Sequence, residues 1–436
     1  MEWPTFKPLG TRRARIISGV LAVALLGTVA VATGYNPLTA ILHLLARPLQ
    51  FCGSDARTTA PTPHPPEITY IGSDGNIWDM LWPDGTPRQF TNDALQASET
   101  NSYSDISYGG LAWSPDGTRL AVLRTAGSIT QETTDLLVFS PTGKVMLRTR
   151  LEGDTHGNPA WSPDGCALAY PSYGYPGQGE LVILDAATGQ TIKTLSYDFH
   201  DYLVCDPAFD QLDIGILDAE GGFLDNTFAW SPDEQSILLR YNCGTRGTGR
   251  VDLEFGDTTP HYPYYATYRP GTHQRQEVIL GQWYRGSDTD ARPVLGLTDA
   301  DGNQIRTLVT GAADTVPPRY ANDLGRGNWT SDGQAIYYEY EDGIWRINAD
   351  GSGARMIVAG TPLESQGNAT VEVVPTPSPD GQMLLYMQLQ GNDQSQGFPA
   401  GQWYVAQADG TNPVPLPQAA LGSGYTSIEA IWRPGM

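Results

Sequence analysis

From residue 67 onward, apolar and polar positions alternate in short runs, each cut off by Pro, Gly, Asp or Asn. Period-two runs of this kind between turn residues predict short, half-buried strands. In AWSPDGTRLAVLR (112–124) an apolar end, Ala112-Trp113, meets Ser114-Pro115-Asp116-Gly117, and apolar residues then resume. Pro presets φ for the first corner of a type I turn. Asp bonds nearby backbone amides, and Gly takes the positive φ that follows. The stretch predicts a tight hairpin with Trp113 buried beside it.

The same joint recurs along the chain. It is WSPDG again at 161–165 (Trp161, Asp164, Gly165), WSPDE at 230–234 (Trp230, Asp233) and WTSDG at 329–333 (Trp329, Asp332, Gly333). A fifth copy, PSPDG, lacks the Trp but keeps Asp380 and Gly381, and a sixth, WRPG, begins at Trp432. A second hairpin type falls between them: WPDG (82–85), SPTG (140–143), DAATG (185–189), DADG (299–302), NADG (348–351) and QADG (407–410). The unit is therefore four strands, A to D, with one joint type at A–B and the other at C–D.

A repeat of four short antiparallel strands predicts an all-β fold, a β-propeller. The first unit, ITYIGSDGNIWDMLWPDGTPRQFT, has strands B, C and D but no A, and the orphan A strand is IEAIWRPGM at the other end. Pairing the two ends in one blade closes the ring and removes its open edges. Six joints of each type predict six blades. Residues 231–328 are the weak point of that count, with seven blades the alternative. YATYRPGTHQRQEVIL (265–280) resembles a C–D hairpin there, but with no visible A–B partner the interval reads as an insertion.

These joints resemble the WD40-like PD40 repeat of the TolB-type propellers over residues 67–436. The resemblance implies a propeller fold. Its members include periplasmic scaffolds that bind envelope proteins and the propeller halves of prolyl-oligopeptidase-like peptidases. Two departures matter. Nothing between the apolar run at 16–33 and Glu67 could form the α/β domain that precedes the TolB propeller. No GxSxG nucleophile elbow occurs in the chain, so the peptidase reading falls.

Charge divides the chain. Residues 1–57 hold six basic and two acidic side chains, so the remainder carries 26 − 6 = 20 basic and 48 − 2 = 46 acidic groups, a net charge of −26. Such a body repels phosphate backbones, which excludes nucleic acid as a partner. Residues 1–15 form a basic stub. IISGVLAVALLGTVAVAT (16–33) is uncharged and long enough, at roughly 1.5 Å per helical residue, to cross a bilayer core. Basic residues before it predict a signal-anchor helix with the rest of the chain outside the cytoplasm. Cleavage near Ala32, where Ala30-Val31-Ala32 has small-x-small form, is the alternative and gives a secreted protein. Residues 34–66 are an apolar juxtamembrane stretch and a Pro-rich tether. Four cysteines (Cys52, Cys166, Cys205, Cys243) suit that location. They allow three pairings, of which Cys205 with Cys243 is the expected one.

The A–B and C–D turns share one face of the disc, and the B–C and D–A connections share the other. Long connections are predicted at 125–135, 173–179, 197–226, 243–292, 311–327 and 390–402. Variable loops on a rigid frame are where binding sits. Their aromatic and acidic content makes Tyr173, Tyr175, His200, Tyr202, Tyr262, Tyr264 and Tyr265 the candidate binding residues. The same rings would also serve to pin loops onto the disc. Catalysis has weaker support. The histidines share no ligand spacing, Asp154 with His156 is the best acid–base pair, and no metal or cofactor is predicted. The expected function is a membrane-anchored extracytoplasmic module that binds an envelope or extracellular protein. The alternatives are a small-ligand or glycan sensor and a metal-dependent lyase or hydrolase. Oligomeric state is not readable from the sequence.

Overall fold

The computed structural model describes residues 51, 64–95, 105–128, 131–152, 157–173, 178–198, 228–243, 245–254, 256–261, 265–270, 277–283, 292–298, 304–310, 327–340, 343–360, 370–390, 400–420 and 429–435. The chain divides into two units, Met1–Leu49 and Gln50–Met436, and every described residue belongs to the second. The predicted anchor at 16–33 lies outside the described residues. Among the described residues no helix is long and apolar enough to cross a membrane.

The described strands form seven four-stranded antiparallel sheets. Blade 1 is β1 (Glu67–Ile71), β2 (Ile77–Leu81) and β3 (Arg88–Gln89), completed by β28 (Ala430–Trp432). Blade 2 is β4 (Asp105–Trp113), β5 (Leu120–Ser128), β6 (Gln131–Phe139) and β7 (Val145–Arg150). Blade 3 is β8 (Ala160–Trp161), β9 (Ala167–Tyr173), β10 (Gln178–Asp185) and β11 (Thr191–Asp198). Blade 4 is β12 (Ala229–Trp230), β13 (Ser236–Cys243), β14 (Thr245–Asp252) and β15 (Thr258–His261). Blade 5 is β16 (Tyr265–Tyr268), β17 (Glu277–Trp283), β18 (Arg292–Thr298) and β19 (Gln304–Thr310). Blade 6 is β20 (Gly327–Trp329), β21 (Ala335–Tyr340), β22 (Gly343–Asn348) and β23 (Arg355–Val358). Blade 7 is β24 (Thr370–Pro377), β25 (Met383–Gln390), β26 (Ala400–Gln407) and β27 (Val414–Ala420).

The count of six left out the A–B joint of blade 5 and the C–D joint of blade 4, whereas DADG (299–302), which it included, falls between β18 and β19 of blade 5. The stretch 265–280 is its A–B hairpin, not a C–D hairpin, with Tyr265 facing Leu280 and Tyr268 facing Glu277. Residues 231–328 are therefore not an insertion. They hold the B–D strands of blade 4 and all of blade 5. Ring closure is as the sequence predicts, with Ile68, Thr69 and Tyr70 of β1 facing Trp432, Ile431 and Ala430 of β28.

Each blade packs on the next. Ile71 and Ile77 of blade 1 join Tyr108, Trp113 and Phe139 of blade 2, and Leu136 and Val138 of blade 2 join Trp161 and Leu168 of blade 3. Leu238 of blade 4 meets Tyr268 of blade 5, and Leu295 and Leu297 of blade 5 meet Trp329 and Tyr338 of blade 6. Tyr337 of blade 6 packs with Tyr386 of blade 7, and Trp403 of blade 7 lies with Tyr70 and Trp432 of blade 1. Polar contacts carry the remaining seam, where the Trp230 indole donates to the Ala160 carbonyl at 3.0 Å and Lys193 donates to the Leu253 carbonyl at 2.6 Å.

The repeated joint has one internal mechanism. The hydroxyl of Ser114, Ser162, Ser231, Thr330 or Ser378 donates to the Asp two residues on, at 2.5–2.7 Å. The same oxygen accepts the backbone amide five residues on, at 2.9–3.0 Å. All four serines are fully buried, so the hydroxyl closes the turn from inside. Gly117 sits at φ +65, and a Cβ there would run into the Pro434 carbonyl oxygen of blade 1.

Candidate binding face

Antiparallel order puts the A–B and C–D turns on one face of the ring. The turn face spends its polar groups on itself. Arg433 donates to the Gly117 carbonyl at 2.7 Å and lies 5.0 Å from the centroid of Trp113. Arg119 does the same to Gly165 (2.7 Å) and Trp161 (4.6 Å), and Arg269 to Gly333 (2.8 Å) and Trp329 (5.2 Å). Each guanidinium thus bonds the turn of the following blade and covers its tryptophan. At the other seams different groups do this work. Glu234 accepts the Asp164 amide at 2.9 Å, and Ser331 donates to the Pro379 carbonyl at 2.5 Å.

A buried acid pair stiffens the closing blade at the same end. Glu67 and Asp79 are 5% and 3% exposed. Arg88 donates to Asp79 at 2.6 Å, Arg433 is ion-paired with Glu67, and Thr69, donating to Asp79 at 3.4 Å, accepts the Trp113 indole at 3.0 Å. Burial, then the Glu67 carboxyl beside it, pushes Asp79 up to about 8. Burial also raises Glu67, but hydrogen bonds with Asp79 and Arg433 and the guanidinium's charge outweigh it and leave Glu67 below its usual range. The pair holds one proton between two carboxyls. Thr69, Arg88, Arg433 and His64 surround the pair, which fastens β1, β2 and β28.

The opposite face is where B–C and D–A connections emerge. Tyr108 donates to Asp93 at 2.5 Å, and Arg124 donates to the same carboxylate at 2.9 Å. Burial raises the Asp93 carboxyl, and the bonds from Tyr108 and Arg124 outweigh it and hold it below the usual carboxylate range. Tyr108 is pushed up to about 12, first by burial and then by Asp93, so it stays a neutral donor. Asp135 accepts Arg148 and Arg150, both at 2.5 Å. The carboxylate of Glu429, just before β28, accepts the amides of Gly110 (2.9 Å) and Leu111 (2.6 Å) and so caps the bulge in β4. These groups pin connections to the rim. Nothing local in the sequence marks them, because Glu429 and Gly110 meet only when the ring closes.

Of the candidate binding residues, Tyr173 ends β9 and Tyr265 begins β16, so the register puts both at the connection face. Tyr175, His200, Tyr202, Tyr262 and Tyr264 lie outside the described residues, as do Asp154 and His156. Two expected loops differ. Most of 125–135 is strand, β5 and β6 pairing as far as Ser128 with Gln131, and 243–292 holds β14 to β17. Cys166, in the A–B turn of blade 3, is disulfide-bonded. Cys243 ends β13, and Cys205 lies outside the described residues. Among the described residues no group of three His, Cys, Asp or Glu side chains is placed to hold a metal ion.

No family model and no curated protein matches the chain. Solved structures do. TolB from Acinetobacter baumannii matches at 14% identity and TM-score 0.42, over 85% of this chain and 67% of that one. A TolB homologue from Agrobacterium tumefaciens matches at 13% identity and TM-score 0.38, over 85% and 98%. A periplasmic gluconolactonase from Pseudomonas aeruginosa matches at 14% identity and TM-score 0.48, over 85% and 99%. Likeness at this level leaves the function to be argued from this chain's own residues.

Proposed function

We propose that this protein is a membrane-anchored extracytoplasmic propeller whose connection face binds a protein of the cell envelope or extracellular space. One observation carries the reading. On the turn face Arg119, Arg269 and Arg433 bond the neighbouring blade, while β9, β11 and β15, which lead in sequence to the aromatic stretches around Tyr173, His200 and Tyr262, end at the opposite face. Large rings held by a rigid frame bury much area on a partner at low ordering cost. The net charge of −26 on residues 58–436 (20 − 46) favours a basic partner surface. The apolar run at 16–33 with basic residues before it supports the anchor and the outward orientation.

The test is capture from the envelope with three full-length baits: the unaltered chain, a variant with Tyr173, Tyr175, Tyr262, Tyr264 and Tyr265 replaced by Ser, and a turn-face control, Gln382→Ala. The expected result is one protein recovered with the unaltered chain and with Gln382→Ala, and lost with the tyrosine variant. Equal recovery on all three baits, or none on any, sinks the protein-binding reading and advances the small-ligand and enzyme alternatives. Protease digestion of intact cells checks the orientation separately, with the propeller degraded if it lies outside.

A further inference from the structure

We infer that the disulfide partner of Cys166 is Cys52, so that the segment leading into the propeller is covalently fastened to the turn face of blade 3. Cys166 lies in the A–B turn between β8 and β9, its amide donating to Asp164 at 2.9 Å. Three cysteines could reach for it. Cys243 is excluded by the strand that carries it. β13 starts at the turn face with Ser236 and ends at the connection face with Cys243. At roughly 3.3 Å per residue that is more than 20 Å of strand, against about 7 Å for the widest Cα separation a disulfide spans. β11 ends at the connection face with Asp198 and β12 starts from that face at Ala229, so the segment that contains Cys205 both begins and ends away from the turn of Cys166.

Cys52 has the opposite situation. Its neighbour Phe51 stands edge-on to Trp230, with ring centroids 5.2 Å apart and planes at 83°. The Trp230 indole donates to Ala160 of β8, and the Asp164 amide of the Cys166 turn donates to Glu234 at 2.9 Å. Phe51 is thus seated on the seam of blades 3 and 4, at the turn that carries Cys166. The next Cα lies about 3.8 Å further along. The lead is held a second time at the same face, where the His64 amide donates to the Gly435 carbonyl at 3.1 Å in blade 1. Cys205 and Cys243 then remain for each other.

Two consequences follow. The covalent loop from Cys52 to Cys166 encloses β1 to β8 and ties the entry of the chain into blade 1 to blade 3. The turn face carries the lead, and docking is left to the connection face.

The experiment is a non-reducing peptic digest at low pH of the full chain, read by mass spectrometry, with alkylation before digestion. A Cys52–Cys166 linked peptide is expected. In Cys52→Ser, Cys166 should change from unmodified to fully alkylated, and in Cys205→Ser it should stay unmodified. Linkage of Cys166 to Cys205 or Cys243 overturns the pairing while leaving an oxidising location intact. Free alkylation of Cys166 in the unaltered chain overturns both the pairing and the extracytoplasmic placement. The digest does not depend on partner binding, so its failure and that of the proposed function are told apart.

Discussion

Asp79→Asn should change the pH dependence of stability, not only its level. The Asp79 carboxyl is 3% exposed and lies against Glu67 in a cluster with Thr69, Arg88, Arg433 and His64. Arg88 is its nearest cation, at 2.6 Å, but that side chain is 47% exposed and its charge is screened. Burial and the adjacent acid therefore win, and the carboxyl titrates near 8 rather than near its usual value of 3.8. Between those limits the folded chain keeps a proton that the unfolded chain releases. A raised carboxyl pKa makes stability fall as pH rises, by about 1.4 kcal/mol per pH unit for one proton. Glu67 acts in the other direction, its pKa being lowered, and its contribution is lost only as pH falls below about 4.5, outside this window. From pH 5 to 7 the Asp79 contribution should drop by about 3 kcal/mol. Asn keeps the shape and cannot titrate. Urea unfolding of the unaltered chain and of Asp79→Asn at pH 5, 6 and 7 isolates the titration of the Asp79–Glu67 pair, since groups outside it cancel in the difference. The unaltered chain should lose ground to the variant at each step. Parallel profiles would refute the shared-proton account and leave Asp79 an ordinary ion-paired carboxylate.

Other substitutions test the ring. Gly117→Ala puts a side chain at φ +65 against the Pro434 carbonyl and should cost about 2 kcal/mol, seen as a lower thermal midpoint. Ser378→Ala removes the hydroxyl that donates to Asp380 and accepts the Met383 amide; leaving that buried amide unmet should cost about 2 kcal/mol in urea unfolding. Tyr70→Phe should raise stability by about 1 kcal/mol, because the buried Tyr70 hydroxyl has no hydrogen-bond partner. A fall in the Tyr70→Phe midpoint would show that a buried water meets that hydroxyl.

The alternating runs and turn chemistry make most strands legible in the sequence, including the pairing of the two ends. Blade 5 was missed for a physical reason. Its A–B joint is Tyr268-Arg269-Pro270-Gly271, the same form as Trp432-Arg433-Pro434-Gly435 with Tyr in place of Trp. Tyr268 is 8% exposed and packs on Leu238, doing the work of the missing indole. Arg269 then covers Trp329 as Arg433 covers Trp113. Arg-Pro-Gly was the available signal, since the Arg is what bonds the following blade.

The same comparison explains why function was harder to read than fold. What repeats in this chain is what the joints need: in five of them a buried hydroxyl to close the turn and an Asp to hold it, and at most of them a Trp or Arg to meet the next blade. A binding site needs the reverse, unlike groups brought together once. Glu429 capping Gly110 and Leu111, or Tyr108 and Arg124 meeting on Asp93, are such unlike groups, and their sequence separations hide them. Repetition therefore marks the face that holds the ring together. The segments that break the repeat, among them those around Tyr175, His200 and Tyr262, are where a partner would be recognised, because the sequence there is not written by the needs of the joints.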